Sequence, residues 1–278
     1  MTLLEVLQST TAYFKKRKID NPRLNAEHLL AHVLGRKRLE LYLQFERELD
    51  EPELAPLRDL VRRRGEGEPL QHLLGSVEFC GHTFLCDKRA MVPRPETEEL
   101  VELLKSQIPI SKSQFLDVGT GSGVIALSLA AEFSEAKVFA VDLSEDALGL
   151  ARQNAERLGL SERIQFAKGN LLENISEKFD LIVANLPYIA RQDRQSLSRE
   201  VLRDPEASLF GGEHGDEIIR ELIAQAPPHL EPNGLLALEI GLGQSDALAR
   251  LLAEKNYHDI ESKYDYSSTP RFLFARYG

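Results

Sequence analysis

A chain of 278 residues, 42% of them apolar, is long enough for one large domain with a small companion and can supply a packed core. Its formal charge of −10 argues against tight, nonspecific binding to a nucleic-acid backbone, so no stable nucleic-acid partner is expected. Cys80 and Cys86 lack CxxC spacing, which argues against a disulfide scaffold and a metal site. With no basic leader at the N-terminus and no apolar run of about 18 residues, a cytoplasmic protein without a membrane segment is expected.

In chain order, Leu3, Leu4, Leu7, Thr11 and Phe14 follow helical spacing, and Asn21-Pro22 opens a second helix that closes at Gly35. Further helical pattern is expected over Arg38–Leu49 and Glu53–Arg64, where Arg62, Arg63 and Arg64 read as a solvated helix end. Residues 1–75 thus form a small helical domain. Residues 76–90 read as a hairpin linker, with Gly81-His82 as a two-residue loop, and residues 91–278 as the main domain. Its first segment, Val92-Pro93-Arg94-Pro95-Glu96-Thr97-Glu98, leads into a helix through Leu104, and Thr97 with the glutamates reads as capping.

From Phe115 the pattern alternates. Strands are expected at 115–118, 137–141, 164–167 and 180–184, with helices at 124–133 and 144–158 between the first three. A helix near 216–226, a strand at 235–240, a helix at 245–255 and late strands near 260–264 and 272–276 follow. Such alternation implies an α/β fold with a mainly parallel, Rossmann-like sheet, and the last two strands suit an antiparallel edge. The run Phe179–Ala184 reads as a buried central strand that Pro187 brings to an end, so Asn185, Leu186, Pro187 and Tyr188 arrive where open α/β sheets bind ligands.

Gly119-Thr120-Gly121-Ser122-Gly123 joins the first α/β strand to its helix, in G-x-G-x-G spacing, with Val124 where a dinucleotide fingerprint wants glycine. Asp117 precedes it, where a carboxylate would repel a pyrophosphate and suit an ammonium group. Asp142 ends the next strand, where an acidic side chain commonly accepts bonds from ribose hydroxyls. Recognition of a ribose and a cation without a phosphate site describes S-adenosylmethionine better than NAD.

These residues, together with the hairpin Gly75–Phe79, the PRPETE segment, Asp204–Leu209 with Gly211-Gly212, and Leu238–Gly241, resemble the release-factor glutamine N5-methyltransferases nearly end to end. That family belongs to the class I methyltransferases. The resemblance implies that Gly119–Gly123 line the cofactor, Asp142 holds its ribose, Asn170 and Leu171 lie by the adenine, and Asn185 bridges cofactor and substrate. It also implies class-1 peptide chain release factors as protein substrates, with residues 1–75 as a docking domain. The chain departs from the family in having Leu186 where Pro is usual and Asn170 where Asp is frequent. Asn-Leu-Pro-Tyr also resembles the tetrapeptide of ribosomal-RNA adenine dimethyltransferases, but those carry their helical domain after the catalytic one. A DNA adenine methyltransferase would want target-recognition segments, and a cofactor-retaining interaction protein would not need the whole set.

In the mechanism so implied, the Asn185 side-chain oxygen and the Leu186 backbone carbonyl accept hydrogen bonds from the glutamine NH2, Pro187 restrains Leu186, and Tyr188 stacks on the amide plane. Because the tetrapeptide has no titratable base near neutrality, a flat rate is expected between about pH 7 and 8.5.

Overall fold

A computed structural model describes residues 1–108 and 113–278. The chain divides into two compact units, Met1–Ser76 with Ser198–Arg203, and Val77–Leu197 with Asp204–Gly278.

The first unit is built from α1 (Leu3–Lys16), α2 (Pro22–Leu34), α3 (Glu51–Gly65) and α4 (Leu70–Leu74). A capping box opens α1: the Thr2 hydroxyl accepts the Glu5 N–H, and the Glu5 carboxylate accepts the Thr2 N–H. Leu3, Leu7, Phe14, Leu29, Leu30 and Leu41 form the core. The helix expected over 38–49 is only a 3₁₀ segment, Arg38–Leu43. Leu39 and Leu43 are exposed while Leu41 is buried, so the apolar residues do not share one helical face. The chain then runs out to pair Glu48 with Thr2, and the Leu49 N–H donates to the Met1 carbonyl. Arg64 is a second correction. It is 3% exposed rather than solvated, with Nε on Asn25 Oδ1 at 2.6 Å and Nη2 on Glu200 Oε2 at 2.6 Å. This charge is matched by a carboxylate and by two neutral acceptors, the second being the Glu68 carbonyl at 2.9 Å.

At the boundary between the units, β1 (Ser76–Phe79) begins on the last residue of the first segment and forms a hairpin with β2 (His82–Leu85) of the second unit. Its two turn residues are Cys80 and Gly81, one position earlier than expected. Both have positive φ, as a type I′ turn requires, and the Cys80 N–H is held by Glu98 Oε1 at 2.5 Å. Phe79 and Phe84 bury one face of the hairpin in the main core.

After α5 (Pro95–Lys105) come β3 (Gln114–Val118), α6 (Val124–Glu132), β4 (Lys137–Asp142), α7 (Glu145–Arg157), β5 (Ile164–Lys168) and β6 (Phe179–Asn185). The short strands β7 (Ile189–Ala190) and β8 (Phe210–Gly212) pair with each other. The chain finishes with α8 (Glu217–Gln225), β9 (Leu230–Glu239), α9 (Ser245–Glu254), β10 (Tyr257–Tyr264) and β11 (Pro270–Tyr277). The seven-stranded sheet has the order β10-β11-β9-β6-β3-β4-β5, and its neighbours pair in parallel except where β11 is involved. The late strands do form an antiparallel hairpin at one edge, inserted so that the reversed strand lies second.

One face of the sheet packs on α5, α6 and α7 through residues such as Leu100, Leu127 and Ala155. The other packs on α8 and α9 through Leu222 and Leu248. Successive crossovers lead from β3 outward to β4 and β5, and then back to β6 on its other side. This reversal opens a crevice at the carboxyl ends of β3 and β6. Phe179, Leu181, Ile182, Val183 and Ala184 are all fully buried, as a strand covered on both faces requires. Among the described residues, no helix is long and apolar enough to cross a membrane.

Asn154 on α7 joins the hairpin to the first crossover. Its Oδ1 accepts the Leu85 N–H at 2.6 Å, and its Nδ2 donates to the carbonyls of Leu85 and Ser122 at 3.2 and 2.9 Å. Asn154→Ala would strand those buried groups, and a loss of about 1–3 kcal/mol in unfolding free energy is expected. Urea denaturation checks it, and a loss below about 0.5 kcal/mol would show that water replaces the amide without cost.

Candidate active site

The crevice holds a cavity of about 270 Å³. Its walls bring together Gly119, Thr120, Gly121, Ser122, Asp142, Asn170, Leu171, Asn185, Leu186 and Pro187, all of them expected from sequence. Three expected residues do not line it: Asp117, Gly123 and Tyr188.

Asp117 is 1% exposed and points into the start of α6. Its Oδ2 accepts the Thr120 hydroxyl at 2.6 Å and the Ala126 N–H at 3.1 Å, so it braces the glycine turn from behind. Among the described residues its Oδ1 has no hydrogen-bond partner, and burial pushes the carboxyl up to about 7 against the effect of those two donors. Gly123 caps α6 with φ +84°, and a methyl there would lie 3.0 Å from Leu127 Cδ1 and 3.1 Å from Ala151 Cβ. Its glycine serves the packing of α6 against α7. Gly119 is the glycine of close approach, for at φ +74° a methyl would lie 2.8 Å from Leu186 Cδ2.

Asp142 Oδ2 accepts the Gly121 N–H and Oδ1 the Ser144 N–H, each at 2.8 Å. With the Leu143 N–H as a further backbone donor, the carboxylate still keeps acceptor capacity for a ligand hydroxyl. Burial raises the carboxyl above its ordinary value, and the backbone donors from Ser144 and Gly121 oppose that rise. Beside it, Val141, Leu143 and Leu171 offer apolar surface to a flat ring. Arg89 is the one basic side chain on the wall among the described residues, and it is paired with Asp87 at 2.7 Å. The wall therefore suits a nucleoside with a cationic rather than a polyphosphate extension. The orphaned Asp117 Oδ1 agrees, since a positive charge near the turn would compensate an acceptor that the protein leaves unmatched.

The opposite wall follows from register. Asn185 ends β6 and lies directly across from Glu239, which ends β9. Side chains alternate along each strand, so both project on the face that carries Leu181, Val183, Leu235 and Ala237, toward α5. Thr97 on α5 meets both. Its hydroxyl donates to Glu239 Oε2 at 2.8 Å and accepts from Asn185 Nδ2 at 2.9 Å. Thr97 is thus 3% exposed and lines the cavity, which corrects its reading as a cap. The Tyr188 hydroxyl donates to Glu239 Oε1 at 3.4 Å, its ring lies under the Arg271 guanidinium at 5.9 Å, and its carbonyl accepts from Gln244 Nε2 at 3.0 Å. Tyr188 therefore packs behind the wall as a plug, and burial with the adjacent Glu239 raises its phenol well above the usual value. Burial pushes Glu239 up to about 7, with Glu96 adding to the rise and Thr97, Arg271 and Tyr188 working against it.

Sequence reasoning left Glu239 out of the site, although a carboxylate closing the apolar strand Leu235–Leu238 was the available signal. It also left out Pro205, Ala207 and Ser208, which complete the wall. Asp204, just before them, is held by Arg94 and by the Val92 N–H, which fixes this segment to the approach of α5.

Two family models match the chain: the PrmC N-terminal domain over residues 5–75 and the methyltransferase small domain over residues 95–213. A release factor glutamine methyltransferase of Geobacter sulfurreducens is 38% identical over 279 residues, covering 100% of this chain and 97% of its own. One of Deinococcus radiodurans is 39% identical, covering 99% of each chain. Among solved structures, a ribosomal protein L11 methylase of Lactobacillus delbrueckii subsp. bulgaricus aligns with TM-score 0.52 and 26% identity, over 68% of this chain and 82% of that one. A methyltransferase of Pyrococcus furiosus shares the fold at TM-score 0.55 and 21% identity, over 70% of this chain and 88% of that one.

Proposed function

The chain belongs to the release factor glutamine methyltransferases, and from that premise we propose that it moves a methyl group from S-adenosylmethionine to the side-chain nitrogen (N5) of the glutamine in the Gly-Gly-Gln motif of class-1 peptide chain release factors. With a translation factor as acceptor, its place of work is the cytoplasm.

The observation that carries this reading is the fixed orientation of Asn185. One N–H of its Nδ2 goes to Thr97, which fixes which way round the amide sits, and Oδ1 is the acceptor it has to offer a ligand. An NH2 acceptor of methyl needs such a partner. The carboxamide lone pair of glutamine is delocalised into its carbonyl, and its N–H is too weakly acidic to be removed in advance. Two carbonyl oxygens that grip the NH2, Asn185 Oδ1 and the Leu186 backbone carbonyl, favour its distortion toward tetrahedral geometry as the new bond forms. Pro187 restrains Leu186 to extended angles whether residue 186 is Leu or Pro.

Bound S-adenosylmethionine supplies a methyl group on a positively charged sulfur, and transfer breaks the S–C bond while the N–C bond forms. The chain's own residues align the reactants. Asp142 accepts from the ribose hydroxyls, Leu143 and Leu171 cover the adenine with Asn170 at its edge, and the turn Gly119–Ser122 admits the methionine portion close to the backbone. The extra proton on the methylated nitrogen passes to water. Most of the acceleration comes from this alignment.

The test is methyl transfer from labelled cofactor to purified, unmethylated release factor, to the same factor with its target glutamine replaced, and to small-subunit ribosomal RNA and duplex DNA. Label confined to the unaltered release factor is expected. Label in RNA or DNA, with none in the protein, would replace this reading with that of an adenine methyltransferase.

A further inference from the structure

We infer that Thr97 and Glu239 are positioning residues which set the direction of the Asn185 carboxamide, so that Asn185 presents its oxygen and not its NH2 to the acceptor nitrogen. The inference rests on the methyl-transfer reading only for what the acceptor is; the direction of the amide follows from the protein alone.

A terminal amide is nearly symmetric in shape, and half a turn about its last torsion exchanges acceptor for donor. Shape cannot hold Asn185 the right way round, so hydrogen bonding has to. Thr97 Oγ1 can accept from Asn185 Nδ2 while its own proton goes elsewhere, and Glu239 Oε2 takes that proton at 2.8 Å. An ionised Glu239 is acceptor-only, which fixes the order of the chain: Asn185 donates to Thr97, and Thr97 donates to Glu239. A protonated Glu239 can donate to Thr97 instead. The Thr97 proton is then free to turn toward Asn185 and reward the flipped amide, which would offer NH2 to an acceptor that also carries NH2. The three side chains come from α5, β6 and β9, so the relay is a property of the assembled fold.

Every charged or titratable group facing Glu239 takes part in setting its ionisation. The Tyr188 hydroxyl donates to Oε1, Arg271 of β11 stabilises the anion, Glu96 of α5 disfavours it, and burial disfavours it most. With the carboxyl at about 7 in the folded protein, the productive, ionised relay dominates above that pH and is lost below it. The sign is therefore a fall in kcat on the acid side, through roughly pH 7. This replaces the flat profile expected from the tetrapeptide alone for the lower part of that range.

Two measurements on the full-length protein test the relay. Thr97→Val removes the hydroxyl at nearly constant volume, and a loss of about 10- to 100-fold in kcat is expected, comparable with losing a charge-assisted hydrogen bond, while the KM for S-adenosylmethionine stays within about threefold. Thr97→Ser should recover most of that loss, and Glu239→Gln should remove the acid limb of the pH profile. In parallel, the side-chain amide signals of Asn185, followed by NMR in selectively labelled protein, should move with a midpoint near pH 7 in the wild type and stay still in Glu239→Gln. An unchanged kcat in a folded Thr97→Val protein, or an acid limb that persists in Glu239→Gln, would overturn the inference. An Asn185 signal that titrates as expected in a protein that methylates no release factor would uphold the relay and reject the substrate.

Discussion

Asn185→Ala is expected to lower kcat by about 10²- to 10³-fold, the usual consequence of removing one preorganised hydrogen-bonding group from the reacting centre. The affinity for S-adenosylmethionine should change far less. The groups placed to hold it, Asp142, Leu143, Leu171 and the turn at Gly119–Ser122, come from other strand ends. The Leu186 carbonyl belongs to the backbone and survives the substitution, so residual turnover is expected instead of none. Asn185→Asp refines the result. It keeps an oxygen acceptor but cannot donate to Thr97, and it places a second carboxylate one side chain away from Glu239. Its kcat should fall between those of the wild type and the alanine variant. Single-turnover rates at saturating cofactor, with cofactor binding measured by calorimetry, check both variants. An Asn185→Ala protein working within a few-fold of wild type would remove Asn185 from the reacting centre.

Much of this was legible in the sequence because the local rules and the global fold agree. The run Phe179–Ala184 reads as a central strand and is one, and the glycines at 119 and 121, set between a strand and a helix, read as a turn that lets a ligand approach and line the cavity. Ten of the expected site residues consequently reach the cavity wall. The failures share a physical cause, which is that a side chain with two plausible local uses is assigned by contacts distant in sequence. Thr97 after a proline near a helix start has the look of a cap, and only the parallel register of β6 with β9 brings Asn185 and Glu239 to it. Asp117 has the position of a ligand-facing carboxylate, but alternation along β3 turns it toward the Ala126 N–H. Arg64 is one of three consecutive arginines, and only the return of Glu200 and the presence of Asn25 give it a reason to be buried while Arg62 remains exposed. Leu186 is the residue on which sequence comparison alone was least informative. In the structure its side chain is 5% exposed and rests over Gly119, where no side chain could stand.

The backbone of the tetrapeptide is held from outside by a second set of glycines, and Gly211→Ala tests how closely. Gly211 lies in β8, which pairs with β7 directly after Tyr188. A methyl group on Gly211 would lie 2.1 Å from the Gly215 carbonyl oxygen and 2.3 Å from the Pro187 carbonyl oxygen. Both are backbone atoms, so no side-chain rotation relieves the overlap, and the φ of Gly211 is not in the left-handed region, so the effect is purely steric. Restoring ordinary contact requires a shift of about 1 Å, and a misplacement of that size near reacting atoms can cost on the order of 10²-fold in rate. Because Pro187 lines the cavity and follows Leu186, the shift falls on the carbonyl proposed to grip the acceptor NH2. Overpacking of this kind also costs about 1–3 kcal/mol in stability, which a protein of this size can absorb while remaining folded. The expected pattern is therefore a cooperative melt at reduced temperature, cofactor affinity near that of the wild type, and kcat down by about 10²-fold or more. Gly159→Ala is the control, for there a methyl meets nothing among the described residues within 4 Å, and the φ of +69° is what opposes it. That variant should lose stability by about 1 kcal/mol and keep its kcat. Should Gly211→Ala fold and turn over at the wild-type rate, the position of the Leu186–Pro187 backbone would not matter to catalysis, and the carbonyl half of the proposed grip would have to be given up.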